Sequence, residues 1–103
     1  MRSKGGFVYI LTNKPRGTLY IGVTSDMESR LTEHRAGSLG SFASRYNLHR
    51  LVHLEPFDDI ETAIAREKQL KRWRREWKVN LVEEAYPDWR DLAGDWTGEE
   101  DSL

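Results

Sequence analysis

The chain has 103 residues and no cysteine. That length holds one domain, since domains run on the order of 100–150 residues. The lack of thiols excludes a disulfide scaffold, a thiolate zinc site and a cysteine nucleophile. Charge is divided unevenly: residues 1–80 carry 15 Lys/Arg against 9 Asp/Glu, and residues 81–103 carry 1 Arg against 8 acids, for a net charge of −1. A basic body with an acidic end points to a polyanionic partner; the blander alternative is ordinary solvated surface charge. No apolar run approaches the roughly 20 residues of a membrane-spanning helix. The first residues hold only five consecutive apolar positions and no small-residue cleavage site, so no signal peptide is expected and the expected location is cytoplasmic.

Residues 6–12, β-branched and aromatic, predict a strand. Residues 13–18, with Pro15 and Gly17, predict a turn, and residues 19–23 a second strand that completes a hairpin. Pairing Thr12 with Leu19 sets Tyr9 opposite Gly22 and puts Tyr9 and Tyr20 on one face of the sheet. Ser25 and Glu28 form a Ser-x-x-Glu capping box for a helix running to Ala36, with Gly37 as its stop. Met27, Arg30, Leu31 and His34 share one face of that helix. The Gly/Ser-rich stretch 37–47 predicts a loop, in which Arg45 and Tyr46 are candidates to meet a substrate or to anchor the loop itself.

Residues 49–55 predict a third strand ended by Pro56. Asp58 or Asp59 caps a helix starting at Ile60, whose apolar stripe is Ile60, Ala63, Ile64 and Leu70, with Glu67 in its middle. Trp73, Trp77 and Leu81 fall roughly 60–120° away from that stripe, which predicts a break at 71–74 and a second helix over 74–84. Pro87 opens a short final helical turn over 87–92. The expected organisation is a single domain over residues 1–92 and an acidic, frayed tail over 93–103. Strands and helices in this order define an α+β class with a three-stranded antiparallel sheet flanked by helices.

Glu67 in an apolar stripe, Arg30 and His34 on a buried helix face, and the tyrosine pair are the positions where chemistry is expected. Each has a plain structural explanation: an ion-paired rim residue, an amphipathic stem packed at the core edge, a core aromatic with a satisfied hydroxyl. Together they suit one reaction. A carboxylate holds a divalent cation through oxygen, an arginine stabilises a phosphate, and a tyrosine or histidine moves the proton of an attacking water. His34, His49 and His53 lack compact ligand spacing for zinc, since positions four apart on a strand stand roughly 13 Å apart. The seven Lys/Arg of residues 66–78 either track a phosphate backbone, with Trp73 or Trp77 as a stacking surface, or form a solvated face. Arg45, Lys68, Lys71, Arg72, Arg74 and Arg75 are the candidate nucleic-acid contacts.

Val8-Tyr9-Ile10, followed by Tyr20-Ile21-Gly22, resembles the GIY-YIG nuclease motif, with Phe7-Val8-Tyr9 standing where the family has Gly-Ile-Tyr. Arg30 and His34, spaced Arg-x-x-x-His, match the family's catalytic arginine and its His-or-Tyr position, and Glu67 matches its metal-binding glutamate. Residues 81–92 resemble the ending of its small, stand-alone bacterial members, except that Tyr86 stands before Pro87 where many have Asn. Asn80 is not equated with the family's late asparagine. The resemblance implies the α+β fold with a three-stranded sheet. It also implies a metal-dependent DNA endonuclease using one divalent ion, Mg²⁺ or Mn²⁺, held by Glu67. Tyr9, or alternatively Tyr20, would activate water, while Arg30 binds the scissile phosphate and His34 assists proton transfer. RNA is the open alternative substrate, and a protein partner would supply specificity. A non-catalytic nucleic-acid-binding module on the same scaffold is the competing function. All five residues are expected to converge on one concave surface.

Overall fold

The computed structural model describes residues 5–36 and 48–94, the side chains of 34–36 excepted. Strands β1 (Gly6–Thr12) and β2 (Leu19–Thr24) form the expected hairpin, followed by helix α1 (Met27–Ala36), strand β3 (Arg50–Phe57) and helices α2 (Ile60–Arg72) and α3 (Arg75–Ala85). The sheet is antiparallel in the order β2-β1-β3. The fold is therefore α+β, as expected. The hairpin register is also as read: Thr12 pairs with Leu19 and Tyr9 with Gly22. In the turn, Gly17 N–H donates to the Lys14 carbonyl, Thr18 N–H donates to Asn13 Oδ1, and Arg16 takes a positive φ of 58°.

Because alternate residues of a strand face opposite sides, β1 supports two cores. Val8 and Ile10 join Ile21, Val52, Ala63, Leu70, Val79, Val82 and Trp89 on the face covered by α2 and α3. Tyr9 and Leu11 join Met27, Leu31, Leu48, Leu51 and Ala93 on the face covered by α1. The four central-strand residues Val8, Tyr9, Ile10 and Leu11 are thus all buried, two toward each layer.

Several local expectations give way to stronger interactions. Asp26, not Ser25, caps α1: its carboxylate accepts Ser29 N–H at 3.1 Å, while Thr24 Oγ1 accepts Asp26 N–H. Pro56 lies inside β3 rather than ending it, since β3 is an edge strand and Pro56 is exposed, so its missing N–H leaves no ladder bond unmade. A bulge between Ile10 and Leu11 leaves Val52 as an extra residue in β3, which interrupts the alternation that placed His49 and His53 on one face. Asp59 caps α2 through Thr62 N–H at 2.7 Å, as expected, and the break before α3 falls at Trp73 and Arg74. Ile64 is not part of the buried stripe; it is 36% exposed.

Residues 87–92 form turns rather than a helix. Trp89 adopts a positive φ of 57°, its ring is buried, and its Nε1–H donates to Glu83 at 2.7 Å. A left-handed residue of this size is strained by on the order of 1–3 kcal/mol, and the buried indole and its hydrogen bond hold it in place. The reversal carries the chain along β3's outer edge. There Leu92 N–H donates to the Leu51 carbonyl, Asp91 accepts Leu51 N–H, and Arg50 donates to the Trp89 carbonyl. Ala93 is fully buried, so packing reaches one residue into the segment read as tail; residues 95–103 lie outside the described residues.

Candidate active site

With β3's edge covered, β2 is the open side of the sheet among the described residues, and Tyr9, Tyr20, Arg30 and Glu67 gather there. Tyr9 projects from the central strand over β2. A β-carbon at Gly22 would stand 2.4 Å from both Tyr9 Cζ and its hydroxyl oxygen, so glycine is what lets the phenol cross the strand. A glycine inside a strand commonly marks such a close approach. Sequence reasoning had used Gly22 as a register partner and as part of the Tyr-Ile-Gly motif, and had not seen that it clears space for the Tyr9 phenol. Tyr20, two residues along β2 on the same face, holds its ring 6.3 Å from that of Tyr9 at 31°.

Asp26 fixes the start of α1, and burial of Met27 and Leu31 then turns Arg30 toward the tyrosines. Arg30 Nη1 donates to the Tyr9 hydroxyl at 3.3 Å, and its Nε lies 3.4 Å from Glu33. Burial pushes the Tyr9 phenol above its ordinary pKa. The Arg30 hydrogen bond and charge pull it back, and the charges of Tyr20 and Glu67 add to the rise. Tyr9, Tyr20 and Arg30 are thus brought together on the α1 face.

Glu67 reaches this group from the other side. It lies on α2, which packs on the opposite face of the sheet from Tyr9. Tyr9, Tyr20, Arg30 and Glu67 therefore do not share one face as expected; they wrap around the edge strand β2. The reason is the alternation of β1, which directs Tyr9 to α1 while α2 takes Val8 and Ile10. Glu67's charge still acts on the Tyr9 hydroxyl. Its side chain is 12% exposed, with Lys71 Nζ 2.5 Å from Oε2 one helical turn on. Beside it, Leu19, Tyr20, Ile21, Lys71 and Lys78 line an open pocket of about 290 Å³. Lys78 lay within the basic run but was not singled out.

The other candidates divide. The side chain of His34 and the whole of Arg45 lie outside the described residues. Lys68 and Arg72 are exposed. Arg75 donates to the carbonyls of Arg16 and Gly17 and so braces the β1–β2 turn. Arg74 stands over Trp77, 5.4 Å from the ring centroid, and 3.7 Å from Glu76. Toward β3, on the α2 face, a separate polar cluster was not foreseen. Arg66 forks onto Glu55 at 2.9 and 3.0 Å, His53 Nε2 meets Glu55 at 2.8 Å, and Arg66 stacks on Trp73. Burial alone would raise the Glu55 pKa; hydrogen bonds from Arg66 and His53 overcome it and leave the carboxyl below its ordinary value.

A divalent ion finds one buried carboxylate here, and among the described residues no group of three His, Cys, Asp or Glu could hold a metal. A single carboxylate suits a hard cation that keeps several waters and takes further oxygens from a phosphate, as Mg²⁺ does. It does not suit zinc, which takes three or four protein ligands.

The hairpin thus carries two tyrosines, with an arginine and a glutamate at its open edge. The GIY-YIG catalytic domain matches residues 5–80, and the chain belongs to the GIY-YIG family. It is 38% identical over 78 residues to a UPF0213 protein of Haloquadratum walsbyi, covering 76% of this chain and 86% of that one. To a UPF0213 protein of Syntrophus aciditrophicus it is 37% identical over 79 residues, covering 76% and 90%. To one of Staphylococcus saprophyticus it is 32% identical over 78 residues, covering 76% and 94%. No solved structure matches the chain significantly. Among the described residues, no helix is long and apolar enough to cross a membrane.

Proposed function

We propose that the protein is a metal-dependent endonuclease that hydrolyses phosphodiester bonds in DNA. The observation that carries this reading is the 3.3 Å bond from Arg30 to the hydroxyl of Tyr9, a phenol that also feels the charge of Glu67. A guanidinium beside a hydroxyl that can move a proton is what an attack on a phosphodiester needs.

In this reading Glu67 holds one divalent ion, Mg²⁺ or Mn²⁺. When bound, that ion supplies positive charge to the phosphate and lowers the pKa of a coordinated water. Arg30 binds the non-bridging oxygens of the scissile phosphate through its planar fork. Tyr9 accepts the proton of the attacking water, Tyr20 being the alternative, and His34 assists proton transfer. A buried phenol keeps its proton at neutral pH, so Tyr9 becomes a base only when positive charge gathers beside it. Arg30 supplies part of that charge. Lys71 and Lys78 beside Tyr20 give the incoming backbone a cationic approach. Specificity would come from a protein partner or from substrate structure.

The test is cleavage of single-stranded, duplex and branched DNA with Mg²⁺ or Mn²⁺, run beside Glu67→Gln. Cation-dependent products from the wild type and none from the variant support the reading. Binding without cleavage by the wild type on every substrate would assign the chain to a non-catalytic binding role instead.

A further inference from the structure

We propose that Trp73 and Trp77 form a stacking site for one unpaired nucleobase of the substrate strand, an inference that rests on the nuclease reading above. Trp77 is 47% exposed on the first turn of α3, although tryptophan is among the most costly side chains to leave in water. Its ring meets Trp73 edge-on, with centroids 5.9 Å apart at 84°. Trp73, Trp77, Asn80, Leu81 and Glu84 line an open pocket of about 220 Å³, room for a single planar ring system.

The surroundings favour a base over an apolar protein side chain. Arg66 lies over Trp73 at 5.2 Å and Arg74 over Trp77 at 5.4 Å, so guanidinium groups flank both indoles. Residues 66–78 carry seven Lys/Arg against Glu67 and Glu76, a surface complementary to a polyanion. Asn80 and Glu84, one helical turn apart, offer an amide and a carboxylate to the edge of a base.

The position of the pocket links it to the reaction. Lys78 lines the pocket beside Tyr20, while its neighbour Trp77 lines this one. The first turns of α3 therefore separate a phosphate approach from an aromatic surface. A strand whose backbone passes Lys78 can set an adjacent base on Trp77. In a paired duplex every base is already stacked, so the site selects single-stranded or unpaired positions.

The experiment uses the full chain without metal. It measures binding of a fluorescein-labelled oligothymidylate of about 15 nucleotides and of a blunt duplex of equal length. Trp77→Ala should weaken single-strand binding about tenfold, leave duplex binding and the melting temperature unchanged, and Trp77→Phe should restore most of the loss. Single abasic substitutions along the oligonucleotide should reveal one sensitive position in the wild type and none in Trp77→Ala. Equal single-strand binding by wild type and Trp77→Ala, or a wild type indifferent to every abasic position, would overturn the base site and leave the nuclease reading standing. A dimer that Trp77→Ala dissociates would assign the face to a second copy and also overturn it. A wild type that binds neither probe would also overturn the base site, while the cleavage assay on branched DNA with Mg²⁺ or Mn²⁺ decides the nuclease reading separately.

Discussion

The ring of Tyr9 lies so close to Gly22 that no β-carbon fits between them: Cζ and the hydroxyl oxygen would each be 2.4 Å from it. This contact sets the phenol over the edge strand, where Arg30 reaches it. Gly22→Ala should therefore displace Tyr9. Overpacking of this kind costs roughly 1–3 kcal/mol, so the variant should melt lower and lose cleavage together. Chemical denaturation combined with a nuclease assay checks this; a Gly22→Ala protein with unchanged stability and rate would show that the crossing is not constrained.

Arg30→Lys keeps the positive charge and loses the bidentate fork. Cleavage should fall by an order of magnitude or more while DNA affinity changes little, because most affinity comes from backbone charge elsewhere. Steady-state rates and a direct binding titration separate the two effects. Normal cleavage would demote Arg30 to packing against Tyr9.

The pH dependence of cleavage follows from Tyr9. Its pKa is raised, chiefly by burial, so at neutral pH only a small fraction is the phenolate that accepts a proton. Below its pKa that fraction grows about tenfold per pH unit. The value of kcat/KM should climb through the alkaline range without a plateau near neutrality, and Tyr9→Phe should abolish the pH-dependent part. A plateau near pH 7 in the wild type would rule out Tyr9 as the base.

Glu55 makes a stability prediction far from the site. Its folded-state pKa lies below the ordinary 4.5, so Arg66 and His53 stabilise its ionised form. That contribution is present above the unfolded value and is lost as pH falls through the lower folded value. Glu55→Gln should therefore destabilise the protein at neutral pH and differ progressively less from the wild type as acid protonates Glu55. Urea melts across that range measure the convergence; a constant difference would show that the charge of Glu55 does not matter.

The hairpin, its register, the cap at Asp59 and the break between α2 and α3 were legible because each depends on neighbours in sequence. Period-two alternation placed Tyr9 opposite Gly22, and the drift of Trp73 and Trp77 from the α2 stripe revealed the break. What failed depends on contacts between distant segments. Glu67 and Tyr9 lie on opposite faces because helix packing, invisible in α2's own periodicity, assigns α2 to Val8 and Ile10. Trp89 adopts a left-handed backbone because its ring is buried and its indole meets Glu83. Pro56 continues a strand because no further strand lies beyond it. Arg66 and Glu55 are far apart in sequence, and only the packing of α2 against β3 unites them.

The central claim is that Glu67 holds a divalent cation, and Lys71 makes it directly measurable. Lys71's side chain is 56% exposed, so its ammonium returns to water when Glu67 loses its charge, and the pair adds little stability. Thermal melting of wild type and Glu67→Gln, each with and without Mn²⁺, is the decisive measurement. The account predicts similar melting temperatures without metal and a rise with Mn²⁺ in the wild type alone, by mass action. A Glu67→Gln protein that Mn²⁺ still stabilises would contradict it. So would one destabilised without metal by the roughly 3–5 kcal/mol of a broken buried pair.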